Sequence, residues 1–318
     1  MDWLLSAIGL VILLLAGDAL VKGAVNLSLR LGVPALIVSL TIVAFGTSAP
    51  ELLIAIRATL DNAPGIALGN VVGSNTANVL LVLGIPAIIT VLDTSSCNSR
   101  KIYGFMLLAT LLFIALAFTG EFGLWQGAVL LAALSYSLRD AFIQARAHRQ
   151  ETGKDPADLT NLEAADQSMS GWWITLYLLL GLVGLPLGAE VLVSSATSIA
   201  RSYHVSETAI GLTLIAIGTS LPELATTVMS AIRRQADVAI GNVIGSNMFN
   251  LLAIIGITAL IGDVPVPRAF LVFNLWVMLG ASLLLAPFVV WRMKLTRFWG
   301  VLLTGSYLAY VTIKPVSQ

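Results

Sequence analysis

The feature that most constrains this chain is that it says the same thing twice. Leu40-Thr41-Ile42-Val43-Ala44-Phe45-Gly46-Thr47-Ser48-Ala49-Pro50-Glu51 returns 172 residues later as Leu212-Thr213-Leu214-Ile215-Ala216-Ile217-Gly218-Thr219-Ser220-Leu221-Pro222-Glu223, identical at 8 of 12 positions. At the same offset Gly69-Asn70-Val71-Val72-Gly73-Ser74-Asn75 becomes Gly241-Asn242-Val243-Ile244-Gly245-Ser246-Asn247, identical at 6 of 7. Asn78 meets Asn250, Gly84 meets Gly256 and Asp18 meets Glu190, so the register never slips. The chain must fold as two related halves.

The halves are not water-soluble. Only 11% of the residues are charged and the mean hydropathy is +0.93, against about 25% charged in a soluble domain. A span needs about 20 apolar residues, and ten stretches qualify, approximately 3–28, 33–59, 66–90, 102–119, 122–145, 172–199, 205–232, 237–261, 269–291 and 297–314. Five precede and five follow the one long polar stretch, residues 146–171. Because five is odd, the second half enters the membrane from the opposite side. The expected fold is an all-α membrane protein of ten transmembrane helices in two inverted five-helix repeats, 1–145 and 172–318, joined by the linker 146–171.

Placing both termini outside and the linker in the cytoplasm puts 13 Lys and Arg on inner connections and 4 on outer ones, the asymmetry that orients membrane proteins. Met1-Asp2-Trp3 offers no basic run before the first apolar stretch, which predicts an uncleaved first span. Net charge is zero, so no nucleic-acid partner is implied. One cysteine, Cys97, excludes an intrachain disulfide, and two histidines, His148 and His204, make no zinc motif. Phosphate-loop, dinucleotide-binding and nucleophile-elbow signatures are absent. Neither an enzyme nor a cofactor is indicated. An intramembrane hydrolase using Ser48 or Ser220 would lack a nearby histidine base. A passive channel is a further alternative. The linker shows no EF-hand pattern.

Glu51 and Glu223 fall well inside spans two and seven, where a charge costs about 2.5–3.5 kcal/mol. Those spans carry no Lys or Arg at comparable depth. A bound cation, protonation or both must compensate. The plain alternative is a pair of permanently protonated, hydrogen-bonded glutamates. Pro50 and Pro222 lack an N–H and clash with the carbonyl four residues earlier, so each helix is expected to break there. Carbonyls freed on Ala44, Thr47, Ala216 and Thr219 would then face a cavity. Carboxylates plus carbonyls suit calcium, which takes about six to eight oxygens, better than magnesium, which keeps its waters. Asn70, Ser74 and Asn78 recur every four residues on one helix face, as do Asn242, Ser246 and Asn250. Asn78 and Asn250 are the expected cavity-facing pair. Serines can instead bond their own helix backbone, and the asparagines can simply bond across a helix interface. Asp18 and Lys22 are spaced to pair.

Two copies of G-T-S-x-P-E followed by G-N-V-[VI]-G-S-N-x-x-N, in ten spans covering essentially the whole chain, resemble the cation/calcium exchanger superfamily, specifically its prokaryotic sodium/calcium exchangers. That resemblance implies a multi-pass protein of a bacterial or archaeal inner membrane exchanging sodium for calcium, with inorganic cations as its substrates. It implies Glu51 and Glu223 as the central calcium carboxylates, with backbone oxygens from Thr47 and Thr219. Sodium sites would be completed by the Ala44 and Ala216 carbonyls and by Ser48, Ser74, Ser220 and Ser246. Access would alternate by spans one and six sliding across the other eight. One departure stands out: characterised relatives carry an acid where this chain has Asn250. Proton-coupled exchange of calcium or another cation is the alternative activity.

Overall fold

A computed structural model describes residues 1–95, 97, 99–152, 166, 168–204 and 216–313. Each of the ten apolar stretches falls mostly on helix in its described part. We number the helices α1 (Asp2–Leu31), α2 (Ala35–Thr47), α3 (Ala49–Leu60), α4 (Pro64–Ile89), α5 (Arg100–Ala117), α6 (Leu124–Thr152), α7 (Gly171–Ser202), α8 (Ala216–Gly218), α9 (Leu221–Ile232), α10 (Ala236–Ile261), α11 (Phe270–Val289) and α12 (Arg297–Ile313). Six of these are long and apolar enough to cross a bilayer, and α2 with α3, bent by 42° at their junction, makes a seventh. Leucine, phenylalanine and tryptophan side chains cover their outer faces, with Trp3, Trp125, Trp172 and Trp291 exposed near helix ends, where interfacial rings belong. A two-residue ribbon, β1 (Glu121–Phe122) against β2 (Val264–Pro265), was not foreseen in the all-helical reading.

All six positive-φ residues among those described form pairs 172 apart. Gly32 (65°) matches His204 (60°), Asn62 (57°) matches Arg234 (54°), and Gly120 (97°) matches Arg292 (56°). A left-handed backbone is costly for residues other than glycine. Its recurrence at His204, Arg234 and Arg292 means that the second half keeps the first half's turns although two of them have no glycine to ease them and the third has arginine where the first half has asparagine.

α1 and α7 lie side by side along their lengths. A Cβ on Gly9 would come within 2.7 Å of the Leu192 amide nitrogen, and one on Gly188 within 2.9 Å of that of Leu13. Small residues at such crossings let helix backbones touch where no hydrophobic effect drives association. The expected Asp18–Lys22 pair forms at 3.2 Å, and Arg233 at the end of α9 joins it by donating from Nε to Asp18. Lys22 also sits 5.8 Å above the Tyr177 ring of α7. On the connections after α4 and α11, Lys294 pairs with Asp93 at 2.7 Å. That ammonium, helped by Ser95, holds the Asp93 carboxyl down at about 2.

Overpacking the α1–α7 contact tests this arrangement. Gly9→Val should destabilise by about 1–3 kcal/mol, read as a lower thermal midpoint of the detergent-solubilised protein. Gly280→Ala, where an added Cβ meets nothing within 4 Å, should leave the midpoint unchanged or raised.

Candidate functional site

The site begins where the apolar helices break. α2 ends at Thr47 and α3 starts at Ala49, with Ser48 between them at φ −87°, ψ 4°. In the second half Ser220 holds φ −88°, ψ 3° ahead of α9. Pro50 and Pro222 lie in the first turn of the helix that follows, where a missing N–H costs nothing. Glu51 and Glu223 share those first turns, and the positive end of the helix dipole favours a carboxylate there.

One expectation is corrected. The carbonyl of Ala44 is not freed by the break: it accepts the Ser48 amide at 3.0 Å and the Thr47 hydroxyl at 3.3 Å. The reason is positional, since Pro50 withholds the N–H that would have gone to Gly46, two residues further on. In the second half the Ser220 amide bonds instead to Ile217, at 3.0 Å.

Glu51 is 1% exposed and Glu223 0%. The two carboxylates lie close enough to act on each other electrostatically, and among the described residues neither has a basic partner. Ser48 donates from Oγ to Oε1 of Glu223 at 3.2 Å, bringing the first motif onto the acid of the second. Thr47 donates to Oδ1 of Asn242 at 3.4 Å, a second link between halves.

On the broken helices and the helices that follow them, these oxygen atoms are buried without a protein partner: Oε2 of Glu51, Oε2 of Glu223, Oγ1 of Thr219, Oγ of Ser220, Oγ of Ser246, and Oδ1 of both Asn78 and Asn250. All seven belong to residues singled out from the sequence. Ser74 and Ala44 are also buried, while the Ala216 side chain lies outside the described residues. Buried polar atoms are nearly always satisfied. Carboxylate and neutral oxygens without donors are the ligand types that hard cations take. No cluster of three or more His, Cys, Asp or Glu occurs among the described residues.

Sequence reasoning missed two sets of contacts. Arg233 on Asp18 is non-local and carries no periodic signal. Asn75 and Asn247 sit inside the repeated motif but off the four-residue stripe that drew attention to Asn70, Ser74 and Asn78. They bond each other's backbone across the halves, Nδ2 of Asn75 to the Asn247 carbonyl at 3.2 Å and Nδ2 of Asn247 to the Asn75 carbonyl at 3.3 Å.

Comparison with known proteins agrees with this architecture. The family model described as sodium/calcium exchanger protein matches residues 1–138 and 173–315. The chain is 33% identical to the inner membrane protein YrbG of Escherichia coli over 96% of its own length and 94% of the relative's. It is 30% identical to the sodium/calcium exchanger MaX1 of Methanosarcina acetivorans over 98% of both chains. A solved structure of the sodium-calcium exchanger NCX_Mj, soaked with Na+ and Sr2+, superposes with a TM-score of 0.82 at 29% identity, covering 98% of this chain and 97% of that one. The chain therefore belongs to the sodium/calcium exchanger protein family, as a multi-pass membrane antiporter of cations and not an enzyme.

Proposed function

We propose that the protein exchanges sodium for calcium across the membrane by alternating access, both ions competing for the oxygen nest around Glu51 and Glu223. The observation that carries this reading is the pair of fully buried carboxylates, each on the first turn of a broken helix, each with an oxygen that no protein group satisfies. An empty, doubly anionic site is costly to carry through a low-dielectric barrier, so each ion crosses by displacing the other. Exchange follows from competition. The names of MaX1 and NCX_Mj as sodium/calcium exchangers support sodium as the driving ion.

The working architecture is ten spans in two inverted halves, 1–145 and 172–318, with the linker 146–171 in the cytoplasm and both termini outside. The paired positive-φ turns support it. So do the close glycine crossings Gly84–Gly300 and Gly127–Gly256, which fall at nearly equivalent places in the two halves. The ligands would be Glu51, Glu223, Asn78, Asn250, the hydroxyls of Ser48, Ser74, Ser220 and Ser246, and backbone oxygens of Thr47, Thr219 and Ala216. No cofactor is required. A second reading, proton-coupled exchange, is favoured by the same unpartnered carboxylate oxygens, which a proton satisfies as well as a sodium ion does.

Reconstituted protein should take up calcium when an outward sodium gradient is imposed and fail to do so under a proton gradient alone. The opposite pattern would establish proton coupling, and transport under neither would reject exchange. Glu51→Gln or Glu223→Gln should weaken calcium binding by about 2 kcal/mol or more, some thirtyfold, because each removes one of two desolvated charges facing the ion. Parent-like binding in both variants would remove the site assignment.

A further inference from the structure

The amide orientations around the site form a chain of logic with one fixed end. A peptide carbonyl can only accept a hydrogen bond. The Asn75 carbonyl, 3.3 Å from Nδ2 of Asn247, therefore fixes which end of the Asn247 amide points that way. Oδ1 of Asn247 must face the other direction, and there it accepts Nδ2 of Asn78 at 3.1 Å. With its NH2 group engaged, Asn78 is left presenting Oδ1, which is buried and has no protein partner. Asn247 and Asn78 are both 1% exposed, so no bulk water competes for either amide.

The other half is not built this way. Symmetry at the 172-residue offset pairs Asn75 with Asn247 and Asn78 with Asn250, so the equivalent bond would run from Nδ2 of Asn250 to Oδ1 of Asn75. Neither atom has a partner. Asn75 is itself oriented, since its Nδ2 donates to the Asn247 carbonyl at 3.2 Å. Asn250 lies in a π-helical turn, Phe249–Ile254, and the backbone around Asn78 widens as well, the Val82 amide reaching five residues back to the Ala77 carbonyl at 2.9 Å, yet only Asn78 has its amide held.

We propose that Asn247 is a positioning residue for cation binding: it holds the Asn78 amide so that oxygen, and not the NH2 group, is turned to the ion. Asn250 has no such restraint. This rests on the reading of Asn78 as a site residue given above. An amide turned the wrong way would offer a cation two partial positive hydrogens, so orientation decides whether Asn78 is a ligand or a repulsive contact.

The test is calcium/calcium exchange in liposomes with radiolabelled calcium, which does not depend on the coupling ion. Asn247→Ala is expected to raise KM about tenfold, the upper end of what one neutral hydrogen bond is worth, with kcat changed less than about twofold. Asn78→Asp supplies the decisive background, because a carboxylate presents oxygen however it is turned. There, adding Asn247→Ala is expected to leave KM within about twofold. Asn75→Ala keeps the backbone carbonyl that orients Asn247 and should leave KM near that of the parent. An unchanged KM in Asn247→Ala, or an equal rise in both backgrounds, overturns the proposal. So does a tenfold rise in Asn75→Ala, an outcome that stands even if Asn247→Ala fails to reach the membrane. A parent-like Glu51→Gln measured in the same assay would instead remove the cation site itself.

Discussion

Two carboxylates shut away from water beside one another set the terms for the rest of this molecule. A lone ionised carboxylate in a dry interior is prohibitive, and two of the same sign repel as well. Nothing basic among the described residues neutralises Glu51 or Glu223. Instead, the surrounding groups are neutral, short and mostly oxygen-bearing, and many carry atoms with no protein partner. That is a poor way to stabilise a fold and a good way to receive a hard cation.

The fold serves this pair by breaking helices where ordinary proteins keep them whole. Prolines just past each break let the first turns of α3 and α9 start cleanly inside the apolar interior, and their dipoles point at the acids. Each glutamate is thus delivered on a rigid helix start and not on a loose loop. The donor from Ser48 to Glu223 crosses between the two repeated motifs. Away from the acids, glycines bring α1 and α7 into close contact and Leu13, Leu20 and Leu185 fill one apolar cluster between them, while the Asp18–Arg233 pair ties α1 to the end of α9.

Much of this was readable from the sequence because the governing patterns are local and repeated. Apolar runs marked the helices, and the doubled Gly-Thr-Ser-x-Pro-Glu marked both acids and both breaks. What escaped was non-local or depended on departures from the regular helix. Arg233 reaches Asp18 through tertiary contact alone. The free carbonyl expected on Ala44 is occupied, since the proline's missing N–H belongs to a different partner. The Asn78 amide is held by Asn247 while the Asn250 amide has no partner, although their sequence contexts are alike, because a repeat in the sequence does not say which cross-helix bonds close. The entry to the second motif, residues 205–215, lies outside the described residues, so its likeness to Val33–Val43 rests on sequence.

The most direct measurement is an experimental structure with strontium or calcium soaked into the crystal, the ion located by its anomalous scattering. The account predicts one ion with oxygens of both Glu51 and Glu223 about 2.3–2.6 Å away, the range for calcium. An ion bound elsewhere, with the two carboxyls apart or turned to lipid, would contradict it.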